Sequence, residues 1–148
     1  MTIEKVLGTP LVFAFLCLIP CSKRMTRVIF TAGAILAALG AWSFVFGVSG
    51  SPRVFAFGGN LMMDSLSAVF VLLITGVGVL SSAYAGGYLF RDGETAIPSV
   101  KLRRYAFFFH LFLFTMLLTV FSNNLGIMWI AIEGTTLASA FLVNTDDK

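Results

Sequence analysis

Residues 123–143 carry the sequence NNLGIMWIAIEGTTLASAFLV, and they decide how the rest of the chain is interpreted. From Leu125 to Val143 there is a single charged residue, Glu133, near the middle of the stretch. A run of this length and apolarity predicts a transmembrane helix. A carboxyl group near the bilayer midplane costs about 2.5–3.5 kcal/mol on insertion scales, so Glu133 is a candidate functional residue.

The composition of the whole chain also indicates a membrane protein. Its 148 residues are 58% hydrophobic and only 11% charged, and the mean hydropathy is +0.95. Soluble domains carry about 25% charged residues. The net charge of +3 comes from basic residues in short segments between apolar runs, where they set membrane orientation. We therefore expect contact with the lipid bilayer and no nucleic-acid partner.

Five apolar runs predict one all-α, multi-pass membrane domain over residues 1–148. The predicted transmembrane helices span about 6–19, 28–48, 65–90, 105–121 and 125–143. The first run is short, and we interpret it as a retained helix because no small-x-small cleavage site follows it. Small residues recur every four positions in the second and third spans, which predicts close helix packing: Gly33, Ala37, Ala41, Gly78, Ser82 and Gly86.

A short β-hairpin is predicted between spans two and three, over residues 54–63. Two apolar segments flank Gly58, Gly59 and Asn60, which tolerate the positive φ angles of a tight turn. Asp64 follows directly and suits the N-cap of the next helix. Capping is its favoured role, and a direct part in ion transport is the alternative.

The distribution of Lys and Arg predicts the orientation. The loops after spans one and three share a side with the C-terminus, and this side holds most of the basic residues: Lys23, Arg24, Arg27, Arg91, Lys101, Arg103, Arg104 and Lys148. The opposite side holds Lys5 and Arg53. Because positive residues favour the cytoplasmic side, we expect the N-terminus and the hairpin outside and the C-terminus in the cytoplasm.

Few other residues suggest chemistry. His110, the single histidine, lies inside predicted span four, where it could relay protons or hydrogen-bond a neighbouring helix; the sequence leaves both roles open. Cys17 and Cys21 are interpreted as buried thiols in or at the end of the first helix. We expect no metal, no cofactor and no redox chemistry in this chain, because it lacks a cysteine pattern for an iron–sulfur cluster.

The surroundings of Glu133 suggest how it would work. The helical positions closest to it in angle are apolar or small, with one hydroxyl group: Gly126, Trp129, Ile130, Thr136, Leu137 and Ala140. Apolar surroundings favour the neutral carboxyl, and a nearby cation favours the carboxylate. A movable cation would therefore switch Glu133 between proton loading and release, but the predicted spans contain none. Alternatively, Glu133 pairs with a neighbouring helix and only stabilises a bundle.

Several motifs resemble those of the antiporter-like membrane subunits of respiratory complex I, energy-converting hydrogenases and multi-subunit sodium/proton antiporters. They are Met63-Asp64-Ser65-Leu66-Ser67, Tyr88, Arg104-Tyr105, Met116, Asn123-Asn124, Trp129 and Glu133. In many complex I relatives a tryptophan directly precedes the acid. Here Ile132 does, and Trp129 stands four residues before the acid, which resembles the hydrogenase-4 component F branch.

The resemblance implies a proton- or sodium-translocating subunit of a redox complex in a bacterial or archaeal cytoplasmic membrane. Members of the family have about fourteen spans, and the chain resembles their N-terminal portion. Glu133 matches the acid of the family's fifth span, whereas its partner lysine, on the seventh, has no counterpart in this sequence. We therefore expect other membrane subunits as partners; a second chain that supplies the missing helices is one option among those given below.

Other interpretations remain open at the level of sequence. The chain could be a split-gene product, a partial reading frame or a shortened paralogue with a structural role. A non-transporting structural subunit would use the small-residue stripes for packing alone. A small independent transporter is disfavoured by the odd number of spans and the single membrane acid.

Overall fold

The computed structural model describes residues 2–48, 53–89 and 98–143, which form five α-helices and one β-hairpin. In chain order the elements are α1 (Ile3–Leu18), α2 (Lys23–Gly47), β1 (Val54–Ala56), a 3-10 turn (Phe57–Gly59), β2 (Leu61–Met63), α3 (Ser65–Tyr88), α4 (Ser99–Phe121) and α5 (Leu125–Val143). Helices α2 to α5 are each long and apolar enough to cross a membrane. Helix α1, with 16 residues, is shorter than these. The described residues are thus consistent with the predicted all-α membrane architecture, with four helices long and apolar enough to span a bilayer.

Helices α2 and α4 extend beyond the predicted spans at their basic ends. Helix α2 begins at Lys23 because the hydroxyl of Ser22 accepts a hydrogen bond from the Met25 backbone N–H, at 3.3 Å. Helix α4 begins at Ser99 directly after Pro98, whose φ of −55° suits a helix start. Basic residues that the sequence placed in a loop, such as Lys101 and Arg103, therefore lie on the first turns of α4. The predicted end of span three and the loop that follows, residues 90–97, lie outside the described residues.

Helix α4 is the centre of the bundle, since it packs against α1, α2, α3 and α5. Glycines of the predicted small-residue stripes lie where neighbouring helices contact each other. A Cβ at Gly86 would lie 2.9 Å from Thr31 Cγ2 on α2, and one at Gly78 would lie 2.9 Å from Leu113 Cδ2 on α4. These glycines therefore let α3 approach its neighbours closely, as membrane helices do in the absence of a hydrophobic driving force between them.

The predicted hairpin is present as two antiparallel strands, with Val54 opposite Met63 and Ala56 opposite Leu61. Its turn contains three consecutive residues with positive φ: Phe57 at 51°, Gly58 at 62° and Gly59 at 91°. The hairpin and the starts of α1 and α5 lie together at one side of the bundle. Asn60, Glu4 and Ile127, one residue from each, line a common groove of about 560 Å³. We call this side of the bundle the hairpin end, and the opposite side the basic end.

Candidate functional site: an acid on the open face of α5

Glu133 lies on a face of α5 that no other described helix covers. Its side chain is exposed, and Trp129 and Ile130, one turn earlier, are each 70% exposed. The buried side chains of α5, Ala131 and Ala138, lie on another face, which packs against α4. Within the described ranges, the carboxyl group of Glu133 makes neither a hydrogen bond nor an ion pair. The carboxyl is thus presented to whatever packs outside α5.

Gly134 explains why Glu133 faces outwards. A Cβ at Gly134 would lie 2.9 Å from Thr115 Cγ2 and 3.7 Å from Thr115 Cβ, so α5 lies close against α4 at this glycine. Successive helical residues are about 100° apart, and the residue before Gly134 is therefore turned away from the seam. Gly134 was not singled out from the sequence, although the spacing of Ala131, Gly134 and Ala138 is that of one helical face.

His110 is fully buried where α1, α2 and α4 meet. Its Nε2 lies 3.2 Å from the backbone carbonyl oxygen of Phe30 on α2. The ring centroid of Phe13 lies 6.1 Å from that of His110, and that of Phe30 lies 5.8 Å away. Among the residues that the structure describes, nothing hydrogen-bonds to Nδ1 of His110. The histidine thus joins two helices through one ring nitrogen and leaves the other buried.

The structure does not bring His110 and Glu133 together. His110 faces α1 and α2, whereas Thr115 of the same helix faces α5 at Gly134. Five helical residues separate the two by about 140° around the axis of α4. A direct proton transfer between His110 and Glu133 is therefore blocked by the body of α4.

Asp64 is the N-cap residue of α3 and lies at the hairpin end. Its Oδ1 accepts a hydrogen bond from the Ser67 backbone N–H at 2.7 Å. This bond lowers the pKa of the Asp64 carboxyl below its ordinary value, because it favours the charged form. The Ser67 hydroxyl in turn donates to the Val120 carbonyl of α4, at 3.2 Å. The geometry of Asp64 is that of a helix cap.

Polar contacts join the hairpin to the link between α4 and α5, and three asparagines carry them. The side-chain amide of Asn124 donates to Asn60 Oδ1 at 3.1 Å. The side-chain amide of Asn123 donates to the Gly59 carbonyl at 2.8 Å, and its backbone N–H donates to the Asn60 carbonyl at 2.8 Å. We call Asn60, Asn123 and Asn124 the asparagine clasp. From the sequence, Asn60 was predicted as a turn residue, and Asn123-Asn124 as one of the motifs that carry the family resemblance; their mutual contact was not predicted.

The cysteines are thiols, Cys17 buried and Cys21 partly exposed. Over residues 2–48, 53–89 and 98–143, no three His, Cys, Asp or Glu side chains cluster as metal ligands.

Comparison with known proteins identifies the relatives of the chain. Residues 51–96 match the family model of the NADH-ubiquinone oxidoreductase (complex I) chain 5 N-terminus. This segment contains the hairpin and α3. The chain is related to the N-terminal portion of the antiporter-like complex I subunits. The resemblance to antiporter-like membrane subunits, which the motif around Asp64 helped to predict, is confirmed.

Individual relatives come from three kinds of membrane complex. The chain is 40% identical over 84 residues to NADH-quinone oxidoreductase subunit L of Mycobacterium tuberculosis, which is 57% of this chain and 12% of that protein. It is 34% identical over 89 residues to the hydrogenase-4 component F homolog of Methylacidiphilum infernorum, covering 58% of this chain and 18% of that protein. It is 34% identical over 85 residues to a Na(+)/H(+) antiporter subunit of Alkalihalophilus pseudofirmus, covering 57% and 10%.

The matched part of the chain thus spans less than a fifth of each of these relatives. Their names describe quinone oxidoreductase, hydrogenase and sodium/proton antiporter components. Four described helices that can cross a membrane, together with this similarity, indicate a multi-pass membrane protein.

Proposed function

We propose that the chain is a membrane-arm subunit that contributes to proton or sodium translocation, coupled to a redox complex such as a group 4 hydrogenase or an NADH:quinone oxidoreductase. The observation that carries the proposal is the position of Glu133, a carboxyl in the middle of an apolar helix and on a face that the described helices leave open. Intramembrane acids are costly and occur chiefly on ion pathways. The relationship to antiporter-like subunits supports the same role.

Glu133 would act as a switchable proton site. In apolar surroundings the carboxyl is favoured in its neutral form, and a cation brought next to it favours proton release. The open face of α5 offers room for a further helix that carries such a cation. The site itself needs no cofactor, since the redox chemistry would belong to other subunits.

The orientation proposed from the sequence places the hairpin end outside and the basic end in the cytoplasm. Lys23, Arg24 and Arg27 begin α2 at the basic end, and Lys101 and Arg103 begin α4 there. The excess of basic residues on one side supports this orientation through the positive-inside rule. The membrane would be the cytoplasmic membrane of a bacterium or an archaeon, in keeping with the bacterial relatives.

The proposed partners are other membrane subunits of the complex, with further helices packed against the open face of α5. A second chain that supplies these helices is one form of this arrangement. Whether these helices belong to the same chain or to a second one, the helix facing Glu133 should carry a Lys or Arg side chain at the same depth, because an unpaired acid in apolar surroundings gains from an opposite charge.

A non-transporting structural subunit is the second candidate, and the close helix contacts at Gly78 and Gly86 favour it. Two variants in the assembled complex distinguish the candidates. Glu133→Gln should leave assembly and electron transfer intact and remove coupled ion transport, because the amide cannot release a proton. Gly78→Leu should instead disrupt assembly, because Leu113 occupies the space that the new side chain needs. A Glu133→Gln complex that translocates ions normally would support the structural role and contradict the proposal.

A further inference from the structure

The seam between α4 and α5 is built from small side chains in the region next to Glu133. Only Ala131 and Ala138 are buried among the side chains of α5, and Gly134 lies between them against Thr115. Beyond this seam, Phe141 stacks on Phe108 with ring centroids 4.8 Å apart. Small residues let the two helices approach each other closely. The hydrogen bonds at the start of α5 add directional contacts that the small side chains of this seam do not provide.

The asparagine clasp holds the first turn of α5 from two directions. Asn124 Oδ1 accepts a hydrogen bond from the Gly126 backbone N–H at 2.9 Å and so caps the start of α5. The amide nitrogen of the same side chain donates to Asn60 Oδ1. One side chain therefore joins the helix start to the hairpin, and both ends of its amide are used.

The hairpin side of the clasp is itself firmly held. The Asn60 side-chain amide donates to the Phe57 carbonyl at 3.0 Å, and the Asn60 backbone N–H donates to the same oxygen at 3.2 Å. Phe57 adopts a positive φ of 51°, a conformation that a bulky residue rarely adopts without support from its surroundings. Backbone pairing of Leu61 with Ser122 also joins the hairpin to the end of α4.

We propose that the asparagine clasp is a positioning device, which sets the depth and rotation of α5 on α4 and thereby the position of Glu133. Asn124 and Glu133 are nine residues apart, which is about 14 Å along the helix axis. A change of rotation at the first turn is carried along a rigid helix to the carboxyl. An effect of the clasp on ion translocation rests on the proposed role of Glu133, whereas its effect on the position of α5 does not.

A disulfide beside Glu133 measures the position of α5 directly. A Cβ at Gly134 would lie 3.7 Å from Thr115 Cβ, within the usual Cβ separation of about 3.5–4.5 Å for a disulfide. The full complex, carrying Cys17→Ala and Cys21→Ala, therefore receives the pair Thr115→Cys and Gly134→Cys. The initial rate of disulfide formation with a mild oxidant then reports the register of the two helices.

Asn124→Asp is the informative variant, because aspartate keeps the oxygen that caps α5 and loses the amide that donates to Asn60. We expect the rate of disulfide formation to fall roughly fivefold, the factor expected from losing one hydrogen bond. The double variant Asn60→Lys with Asn124→Asp should restore the rate, since the ammonium group can donate to the new carboxylate. Ser122→Ala is the matched control. It removes only the bond within the link, from the Ser122 hydroxyl to the Asn124 carbonyl, and should leave the rate unchanged.

The outcomes separate this inference from the proposed function. An Asn124→Asp complex that forms the disulfide at the parental rate overturns the positioning role, and so does an equal loss of rate in Ser122→Ala. Neither result touches the role of Glu133. If instead the clasp variants lower the rate while Glu133→Gln translocates ions normally, the clasp stands and the proposed function fails. When both proposals hold, Asn124→Asp without the cysteine pair lowers translocation per electron transferred, and Asn60→Lys with Asn124→Asp recovers it.

Discussion

At the scale of single residues, the absence of a side chain at Gly33 makes the space that His110 occupies. A Cβ at Gly33 would lie 2.7 Å from His110 Cε1 and 2.7 Å from two ring atoms of Phe13. The imidazole fits between α1 and α2 only because position 33 has no side chain. Gly33 was expected to permit helix packing, and the structure adds that it makes room for the one buried imidazole.

Gly33→Ala should therefore destabilise the protein, by about 1–3 kcal/mol, the usual cost of overpacking a filled interior. Thermal unfolding in detergent measures this change. Gly76→Ala is the matched control, because its Cβ would meet only Trp42 at an ordinary 3.9 Å. That variant should be neutral or stabilising by up to about 1 kcal/mol, since alanine favours the helix. Equal effects of the two substitutions would contradict the packing role of Gly33.

His110→Gln distinguishes the two roles that the sequence left open for the histidine. The glutamine amide can donate to the Phe30 carbonyl as the ring nitrogen does, but unlike imidazole it cannot bind and release a proton. Because His110 faces away from α5, we expect assembly and ion translocation to survive. Translocation is measured in membrane vesicles beside electron transfer by the same complex. Loss of translocation with normal assembly would instead support a proton relay through His110.

At the scale of elements, the N-cap of α3 depends on the charge of Asp64. The bond from Ser67 lowers the pKa of this carboxyl, so its contribution to stability is fully present above the unfolded value of about 3.9. That contribution is lost as the pH falls through the lower, folded value. Asp64→Asn keeps a good cap without a titrating group.

The stability of the parent protein should therefore fall more steeply than that of Asp64→Asn when the pH is lowered from about 5 to below 4. Denaturation of both proteins across this range provides the comparison. Parallel curves would show that the charge of Asp64 contributes nothing to the cap.

Also at this scale, helix existence was easier to predict from sequence than helix ends. The apolar runs identified the helices, because hydropathy depends on composition over many residues. They placed the start of α4 at about residue 105, whereas Pro98 and Ser99 begin it earlier. Hydropathy reports the part of a helix in lipid, and backbone geometry continues beyond it. The surroundings of Glu133 were partly predictable: the residues that share its face follow from the helical angles, but the close contact of Gly134 with α4 became visible only in the structure.

At the scale of the whole molecule, the described helices surround α4, and α5 lies on one side of it with its acid turned outwards. The sequence could not show this, because the choice of which helices pack together depends on contacts between distant residues. In the proposed function, Glu133 is a site at an interface with further helices. The central claim is that its carboxyl carries the translocated proton, or exchanges it for sodium.

The most direct test is the number of ions translocated per electron transferred, in vesicles that contain the intact complex. Glu133→Gln should lower this ratio at least tenfold while electron transfer continues, and Glu133→Asp should retain part of it. Thr135→Val alters the same helix on a face away from Glu133, where the hydroxyl bonds only to the Ala131 carbonyl, and should leave the ratio unchanged. A Glu133→Gln complex with the parental ratio would contradict the claim.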